Sequence, residues 1–408
     1  MGGFFTIEQT QSKERPNGKI YSCASCGLYK YVLSPRMKPF GNFKKGILNI
    51  GEAPGEKEDR KGRQWQGKVG KRLQQEYAHL GFDLFEDCLN INTINCRPTD
   101  KKGNNRPPTS DEIVSCRAHV LKVIQEYQPR VIVVLGSSAI SSIIGHRWRK
   151  DLGGIAKWRG WTIPDRDFNA WVCPVWHPSY VDRLNGKEID VIWRQDLKRA
   201  LSLHTKALPK WRDEKELVEI IDSPSQLSSF SNLVAIDYET TGLKPHASGH
   251  RIVCAAVAHN ENTVQVFPMP EDKISQQPFL DRLRDPIIGK MAHHMKFEEM
   301  WSTIYLKQPV KNWKWDSMLA AHLLDNRSYT TGLKFQVYVN FGVVNYNGEV
   351  EKYLKGKDSK NANSMNRVLE LIKTERGRRQ LYTYCGLDAL YEYRLAMKQM
   401  EIIGEYTS

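Results

Sequence analysis

Carboxylates in the C-terminal half of the chain stand at spacings that suit binding of metal ions. Asp237 and Glu239 lie at the end of a predicted strand over residues 233–237, and side-chain alternation places both on one face. Tyr384 and Asp388 are four residues apart, so a helix presents them together. Like charges this close repel unless a cation lies between them. An isolated Asp-x-Glu pair is usually a solvated strand end, so the second acidic stretch is what favours a metal site.

A third stretch, residues 294–298, places Glu298 behind an aromatic residue and between the other two stretches. An Asp-x-Glu-Thr after a strand, an acid behind an aromatic residue and a late Tyr-x-x-x-Asp resemble the three motifs of the DEDD exonucleases. The proofreading domain of family A DNA polymerases is the closest likeness, over about residues 216–402. The resemblance implies a ribonuclease-H-like fold and a 3′→5′ exonuclease with two Mg²⁺ or Mn²⁺ ions. It assigns metal binding to Asp237, Glu239 and Asp388 with help from Glu298, and positioning of the attacking water to Tyr384.

This second motif departs from the family at two positions. Glu298 stands where the family has Asp, and His294 stands where the family has Asn. The longer side chain moves its carboxylate by roughly one methylene, and a shift of about 1 Å at a catalytic group can cost on the order of 100-fold in rate. We therefore expect weakened nuclease activity.

Four cysteines of the N-terminal half form two pairs. Cys23 and Cys26 stand close enough to bind one metal ion, whereas nineteen residues separate Cys96 from Cys116. Burial on the apolar face of a helix explains Cys116 equally well, and four cysteines also suit zinc. No export signal opens the chain, so a disulfide framework is not expected.

The residues around these cysteines resemble the family 4 uracil-DNA glycosylases over about residues 18–203. The matching segments are residues 51–55 (Gly-Glu-Ala-Pro-Gly), Asn92 ahead of Cys96-Arg97-Pro98, and residues 177–180 (His-Pro-Ser-Tyr). The resemblance implies a structural four-iron four-sulfur (4Fe-4S) cluster, because the family holds one on four cysteine thiolates. The ligands that it implies are Cys23, Cys26, Cys96 and Cys116.

The same resemblance implies roles in a pocket that receives a flipped uracil base. Trp65 would stack on the base, the Asn92 amide would read its edge, and His177 would donate a hydrogen bond to the uracil oxygen. Glu52 would act electrostatically or orient the water, and contacts to uracil or the duplex are expected from Ala53, Tyr180 and Arg183. The chain has Gln64-Trp65-Gln66 where the family has Pro-Phe-Val, and its gap between Cys96 and Cys116 is longer. Uracil excision and a fold retained for DNA binding or docking of a partner both remain open.

Composition indicates a globular protein with a polyanionic partner. Apolar residues make up 40% of the 408 residues, and 60 Lys and Arg against 46 Asp and Glu give a formal net charge of +14. A basic balance of this size favours nucleic acid, because each contact with a phosphate releases a counterion. No apolar run is long enough to span a bilayer. We expect DNA as the partner, no membrane, and a cytoplasmic location (the host cytoplasm if a phage encodes the chain).

Predicted elements divide the chain into two α/β domains. Strands over residues 47–50, 131–135 and 171–176 alternate with helices, including one over 111–127 capped by Thr109 or Ser110, which indicates a mostly parallel sheet. A hairpin (252–258 and 263–267) and helices near 296–305, 315–324 and 367–397 follow. We predict a three-layer α/β/α glycosylase-like domain over residues 1–205, a linker over 206–215, and a mixed α/β exonuclease domain over 216–408.

The order of the two domains resembles the N-terminal part of certain bacteriophage DNA polymerases. The partner is then a DNA polymerase, either as a further domain of a longer chain or as a separate polypeptide that docks here. The alternative is a noncatalytic replication subunit whose folds hold DNA or recruit the polymerase. The acids at Asp237, Glu239 and Asp388 favour the enzyme.

Overall fold

The computed structural model describes residues 21–148, 151–229, 232–346, 348–356, 358, 361 and 363–404. The prediction about an export signal falls on residues outside these ranges. The chain forms two compact units, of which the first takes the residues up to Pro209 together with Tyr338–Val344, and the second takes Lys210–Val337 and the residues from Asn345 onward. In the part of the chain that is described, no helix has the length and apolar character needed to cross a membrane.

The first unit is built on a five-stranded sheet with the order β2-β1-β3-β5-β4. The first four of these strands run parallel and β4 is an antiparallel edge strand. All five are buried along their length, as expected for a sheet that is covered on both faces. The strands are β1 Ile47–Gly51, β2 Cys88–Asn92, β3 Val131–Leu135, β4 Ile163–Asp165 and β5 Ala170–Val175.

The helices of the first unit follow the strands as a parallel sheet requires. The longest, Ser110–Tyr127, begins at a capping box in which Thr109 accepts from the Glu112 N–H and the Glu112 side chain reaches back. This confirms the prediction of Thr109 as the cap. The helices are α1 Cys23–Cys26, α2 Glu56–Lys61, α3 Lys68–His79, α4 Ser110–Tyr127, α5 Ser137–Ile143, α6 Ile155–Trp158, α7 Pro178–Leu184 and α8 Lys187–Ser202, with 3₁₀ turns at Leu28–Tyr31 and Leu203–Thr205.

The second unit is built on a mixed six-stranded sheet with the order β11-β10-β7-β8-β9-β6. Strands β7, β8 and β9 form an antiparallel meander that includes the predicted hairpin, whereas β10 and β11 extend the β7 side in parallel and β6 runs parallel to β9. The strands are β6 Val218–Ile220, β7 Leu233–Thr240, β8 Ile252–Asn260, β9 Thr263–Pro268, β10 Gly289–Ala292 and β11 Trp313–Asp316.

One long helix, Glu375–Ile403, covers this sheet and carries the late acidic motif. A Cβ added at Gly386 would lie 2.6 Å from Val218 Cγ1 and 2.8 Å from Val266 Cγ2, so a glycine is needed where the helix meets the sheet. The helices are α9 Lys273–Arg284, α10 Met295–Trp301, α11 Ser317–Leu324, α12 Leu333–Phe341, α13 Glu351–Leu354, α14 Val368–Leu371 and α15 Glu375–Ile403, with 3₁₀ turns at Glu214–Leu217 and Pro224–Gln226 and a π-helical turn at Ser302–Leu306.

Two predicted helices of this unit have different limits in the structure. The predicted helix over residues 315–324 begins only at Ser317, because Asp316 ends β11 and its carboxylate accepts from the N–H groups of Met318 and Leu319 as an N-cap. The predicted helix over 367–397 is two helices, α14 and α15, and Thr374 caps the second.

Candidate active sites

Three carboxylates of the second unit converge and form what we call the acid cluster. Asp237 and Glu239 lie on β7, and Asp388 lies on α15. One ligand oxygen from each lies within 4.8 Å of the others. Among the described residues, this is the one group of three or more His, Cys, Asp or Glu side chains that meets this distance. The structure therefore brings together two of the three acidic stretches that the sequence singled out.

Two carboxylates of the acid cluster have raised pKa values, and one of their oxygens has no hydrogen-bond donor. Burial, with the charge of Asp388 adding, raises the pKa of Asp237 to about 7. Burial and the charge of Asp237 likewise raise the pKa of Glu239 well above its usual range. The Oδ2 atom of Asp237 is buried without a hydrogen-bond partner. Carboxylates that repel each other, with one oxygen that has no donor, fit divalent cations such as Mg²⁺, which prefer oxygen ligands.

Glu298 lies on α10, near the acid cluster but outside its 4.8 Å group. Its side chain is buried and its Oε2 atom has no hydrogen-bond partner. Burial raises the pKa of Glu298, and the charge of Asp237 adds to this effect. Glu298 is thus close enough to feel Asp237 and has an unused ligand oxygen, as expected of an assisting carboxylate.

Two residues at the acid cluster were missed by the sequence reasoning. Lys334 on α12 donates a hydrogen bond to Asp388 Oδ1, and the Tyr346 hydroxyl donates to the same oxygen at 2.6 Å. The Lys334 ammonium lies 3.9 Å from the ring centroid of Tyr346 and 4.2 Å from that of Tyr384. No signal pointed to either residue, since they lie 54 and 42 positions before Asp388 in stretches without a motif.

A further buried acid, Glu392, lies one helical turn after Asp388 on α15. The Ser317 hydroxyl donates to its Oε2 atom, and His293 Nδ1 lies 2.7 Å from the Ser317 oxygen. Burial raises the pKa of Glu392 to about 8. The spacing of four from Asp388 is a signal that the sequence reasoning could have used.

In the first unit, candidate residues gather at the carboxyl ends of parallel strands, where ligands bind in sheets of this type. Glu52 follows β1, Asn92 ends β2, Ser138 follows β3 and His177 follows β5. The Ser138 hydroxyl donates to Glu52 Oε2 at 2.8 Å, which fixes the direction of that carboxylate. Three separate sequence motifs, together with Ser138, thus meet at one edge of the sheet.

Gly51, Asn92, Trp65 and His177 form one pocket wall, called here the strand-end pocket. A Cβ added at Gly51 would lie 2.6 Å from Asn92 Oδ1 and 3.0 Å from Trp65 Cζ2, so a larger residue there would displace these side chains. The Trp65 indole N–H donates to Asn90 Oδ1 at 3.1 Å, and its ring centroid lies 5.8 Å from that of His177. Among the described residues, the side-chain amide of Asn92 has no hydrogen-bond partner, although the side chain is buried.

His177 is held as a neutral hydrogen-bond donor. The Ser179 hydroxyl and backbone N–H lie 2.8 Å and 3.3 Å from His177 Nδ1, and when Nδ1 accepts from both, the ring proton resides on Nε2. Burial, with the charge of Arg183 adding, lowers the pKa of His177 to about 4. At neutral pH this tautomer presents an Nε2–H group, as the predicted role in binding a uracil oxygen requires.

The remaining predicted contact residues lie on more open surface. Ala53 is partly exposed after β1, and Tyr180 and Arg183 lie on α7. The ring centroid of Tyr180 lies 5.8 Å from that of Trp176, and the Arg183 guanidinium lies 6.0 Å from the Tyr180 ring. The structure gives none of the three a direct hydrogen bond to the strand-end pocket among the described residues.

The four cysteines converge, and N–H groups point at their sulfurs. The Arg36 backbone N–H donates to Cys96 Sγ at 3.2 Å, the Arg36 side chain donates to Cys23 Sγ at 3.2 Å, and the Asn95 amide donates to Cys116 Sγ at 3.7 Å. Burial raises the pKa of Cys116 to about 11, with the charges of Cys96 and Cys26 adding. Donors directed at sulfur suit thiolates that bind a metal cluster.

The spacing of these sulfurs can be compared with that expected around one zinc ion and around a four-iron cluster. Around one zinc ion, four thiolates would be about 3.8 Å apart. No three of the cysteine sulfurs in the described chain lie within 4.8 Å of one another. In a four-iron cluster each thiolate binds a different iron atom, so the sulfurs are farther apart. Four converging thiols are thus able to hold a four-iron cluster.

Comparison with known proteins identifies both halves. Residues 38–198 match the model of the uracil-DNA glycosylase superfamily. The type-4 uracil-DNA glycosylase of Thermotoga maritima is 35% identical over 184 residues, which are 45% of this chain and 90% of that protein. The chain belongs to the type-4 uracil-DNA glycosylase family. We call the first unit the glycosylase unit from here on.

The second half carries a different catalytic domain. Residues 210–403 match the model of the 3′→5′ exonuclease domain found in family A DNA polymerases, and we call the second unit the exonuclease unit. A DNA polymerase of Bacillus phage SP01 is 27% identical over 254 residues, which are 59% of this chain and 24% of that protein. This alignment is longer than either domain match, so it includes residues of both.

Solved structures give weaker likenesses. Escherichia coli RNase D, an exoribonuclease, covers 45% of this chain at 16% identity with a TM-score of 0.32, and 44% of that chain is matched. A TM-score this low does not establish a shared fold. The folds of the two units are assigned from the family models. The glycosylase unit and the exonuclease unit therefore have the glycosylase-like and ribonuclease-H-like folds that the sequence predicted.

Proposed function

We propose that the exonuclease unit removes nucleotides from the 3′ ends of DNA at the acid cluster, as a proofreading nuclease does. The observation that carries this proposal is the convergence of Asp237, Glu239 and Asp388 within 4.8 Å, with the Oδ2 atom of Asp237 buried and without a hydrogen-bond partner. The net charge of +14 supports a nucleic acid substrate.

The side chains have distinct tasks in this reaction. Asp237, Glu239 and Asp388 would hold two divalent cations, with Glu298 assisting. Bound cations at such a site activate the attacking water and stabilise the departing 3′ oxygen. Tyr384 lies one helical turn before Asp388, where its hydroxyl orients the water. Because burial raises the pKa of Asp237 to about 7, this carboxyl would give up any remaining proton in order to hold a cation.

Digestion of 3′-end-labelled DNA with Mg²⁺ or Mn²⁺ tests this proposal. We expect metal-dependent release of nucleotides by the wild type and none by Asp237→Ala. Asp281→Ala is the matched control, since Asp281 is an exposed acid of the same unit that pairs with Arg284. Equal degradation by wild type and Asp237→Ala would overturn the assignment and favour a noncatalytic replication subunit.

We propose uracil excision as the activity of the glycosylase unit. The specific observation is that the Nε2–H of His177 and the unpaired amide of Asn92 belong to the same pocket as the Trp65 ring. Single- and double-stranded DNA containing uracil should acquire alkali-labile abasic sites. Their absence would leave a unit that binds DNA or docks a partner.

We propose that Cys23, Cys26, Cys96 and Cys116 hold a four-iron four-sulfur cluster. The N–H donors at three of the sulfurs and their spacing support this. Iron and acid-labile sulfide analysis of brown, anaerobically purified protein tests it, with four iron atoms per chain as the expected result. Zinc without sulfide would contradict the cluster.

We further propose that the chain works with a DNA polymerase. The similarity to the phage SP01 DNA polymerase across residues of both halves supports this partner. Co-elution with a family A polymerase polypeptide from the same genome, or a polymerase domain in a longer chain, is the expected finding. A genome that encodes neither would contradict it.

A further inference from the structure

Lys334 is the cation that faces the acid cluster. Its ammonium is hydrogen-bonded to Asp388 Oδ1, and its charge acts on both Asp237 and Glu239. The Lys334 side chain is 32% exposed, whereas that of Asp388 is 9% exposed. Part of the Lys334 side chain therefore reaches solvent, whereas Asp388 is enclosed.

Two aromatic rings fix the ammonium in this place. It lies 3.9 Å from the ring centroid of Tyr346 and 4.2 Å from that of Tyr384, distances typical of cation–π contacts. The Tyr346 hydroxyl donates to the same Asp388 oxygen at 2.6 Å. One carboxylate oxygen and two ring faces thus form a binding place for a single positive charge.

A divalent ion at the acid cluster conflicts with this arrangement. Mg²⁺ binds its oxygen ligands at about 2.1 Å, and the ammonium is within hydrogen-bond distance of one of those carboxylates. The two cations would be neighbours on Asp388 and would repel each other strongly in a partly buried site. The flexible stem of lysine and its partial exposure allow it to leave.

We propose that the Lys334 ammonium is the resident countercharge of the acid cluster, which holds the cation position beside Asp388 in the metal-free protein and is displaced when a divalent ion binds. This inference rests on the proposed metal site of the exonuclease unit. It implies that Lys334 weakens metal binding while it stabilises the metal-free fold.

Calorimetric titration of the full chain with Mn²⁺, without DNA, tests the inference. Lys334→Met keeps the length and packing of the side chain without its charge, and we expect about tenfold tighter Mn²⁺ binding, equivalent to about 1.4 kcal/mol. Metal-free Lys334→Met should unfold at a lower temperature than wild type and gain more from Mn²⁺. Lys334→Arg, which keeps the charge, should bind Mn²⁺ within about threefold of wild type.

Controls separate this inference from the metal site itself. Lys355→Met removes an exposed lysine that pairs with Glu351 in the same unit, and it should match wild type. Lys334→Gln replaces the Met variant if that protein does not fold. Unchanged or weaker Mn²⁺ binding by the uncharged variants would overturn the countercharge role. Equal binding by wild type and Asp237→Ala would instead overturn the metal site and the inference with it.

Discussion

Burial shifts the pKa of a key side chain in opposite directions in the exonuclease unit and the glycosylase unit. In the acid cluster, burial raises the pKa of Asp237 to about 7 and leaves its Oδ2 atom without a partner. In the strand-end pocket, burial lowers the pKa of His177 to about 4 and a backbone N–H fixes its tautomer. We propose that divalent cations complete the first site, whereas the second uses its own neutral donors.

The two units also differ in where a metal belongs. The acid cluster would use metal ions directly in hydrolysis. The four cysteines lie at α1, before α4 and on α4, and the Asn95 amide connects them to the end of β2 through hydrogen bonds to Cys116 Sγ and to the Asn92 carbonyl. A cluster there would support the fold and leave catalysis to the side chains. Loss of metal should therefore affect folding of the glycosylase unit and catalysis by the exonuclease unit.

The largest expected effect is on folding of the glycosylase unit. Structural metal sites contribute on the order of 10 kcal/mol to folding, so Cys96→Ser should abolish the brown colour and the thermal transition of this unit. Cys173→Ala, a buried cysteine of β5, is the matched control and should keep both. The Cys96→Ser variant should still digest 3′-labelled DNA, because the exonuclease unit does not contain this cysteine. A thermal transition like that of the wild type in this variant would show that the cluster is not structural.

The next effect concerns the neutral donor of the strand-end pocket. His177→Ala removes a preorganised hydrogen bond to the leaving base, and we expect uracil excision to fall by about 100- to 1,000-fold. Gel analysis of alkali-labile sites measures this. His79→Ala, at an exposed position of α3, should excise at the wild-type rate. Excision that is insensitive to His177 would mean that another group stabilises the departing base.

Substitutions of Glu298 test whether its longer side chain limits the exonuclease rate at the acid cluster. If its extra methylene misplaces the carboxylate, Glu298→Asp should raise the exonuclease rate, by up to on the order of 100-fold. Glu298→Gln should lower it, because a neutral amide is a poorer cation ligand. Glu271→Asp, whose side chain is 81% exposed, is the control. A slower Glu298→Asp variant would show that this site is adapted to the longer side chain.

The smallest effect is the titration of His177. Because its pKa is lowered from 6.5 to about 4, the ring should stay neutral with its proton on Nε2 across the range from pH 6.5 to 4. The stability that it contributes is complete above pH 6.5 and is lost as the pH falls through 4. Histidine ring NMR of the full chain measures the pKa and the tautomer of His177. A ring that titrates at its ordinary pKa would remove the basis for a preset donor.

Features with local signals were predictable from the sequence. The strand over residues 131–135 is an uninterrupted β-branched and leucine run, and the helix that begins at Ser110 has a capping pair. Alternation was enough to place Asp237 and Glu239 on one face of β7. Strand β2 was missed because Asn90 and Asn92 interrupt its apolar pattern. Asn90 is accommodated by hydrogen bonds with Asn49 and Trp65 that the sequence does not reveal.

Features that depend on distant contacts were not predictable. Lys334 and Tyr346 reach Asp388 only because the fold returns α12 and the following loop to α15. The tautomer of His177 depends on a backbone N–H two residues away, which pattern alone does not place. The position of Glu298 outside the 4.8 Å group likewise depends on the fold and has no local signal.

Crystals of the full chain soaked in Mn²⁺ test the central claim most directly, through anomalous scattering at the acid cluster. The convergence of three carboxylates predicts manganese ions at the acid cluster, which Asp237, Glu239 and Asp388 would hold. Anomalous density at the surface or the cysteines, with none at these carboxylates, would contradict a two-cation nuclease.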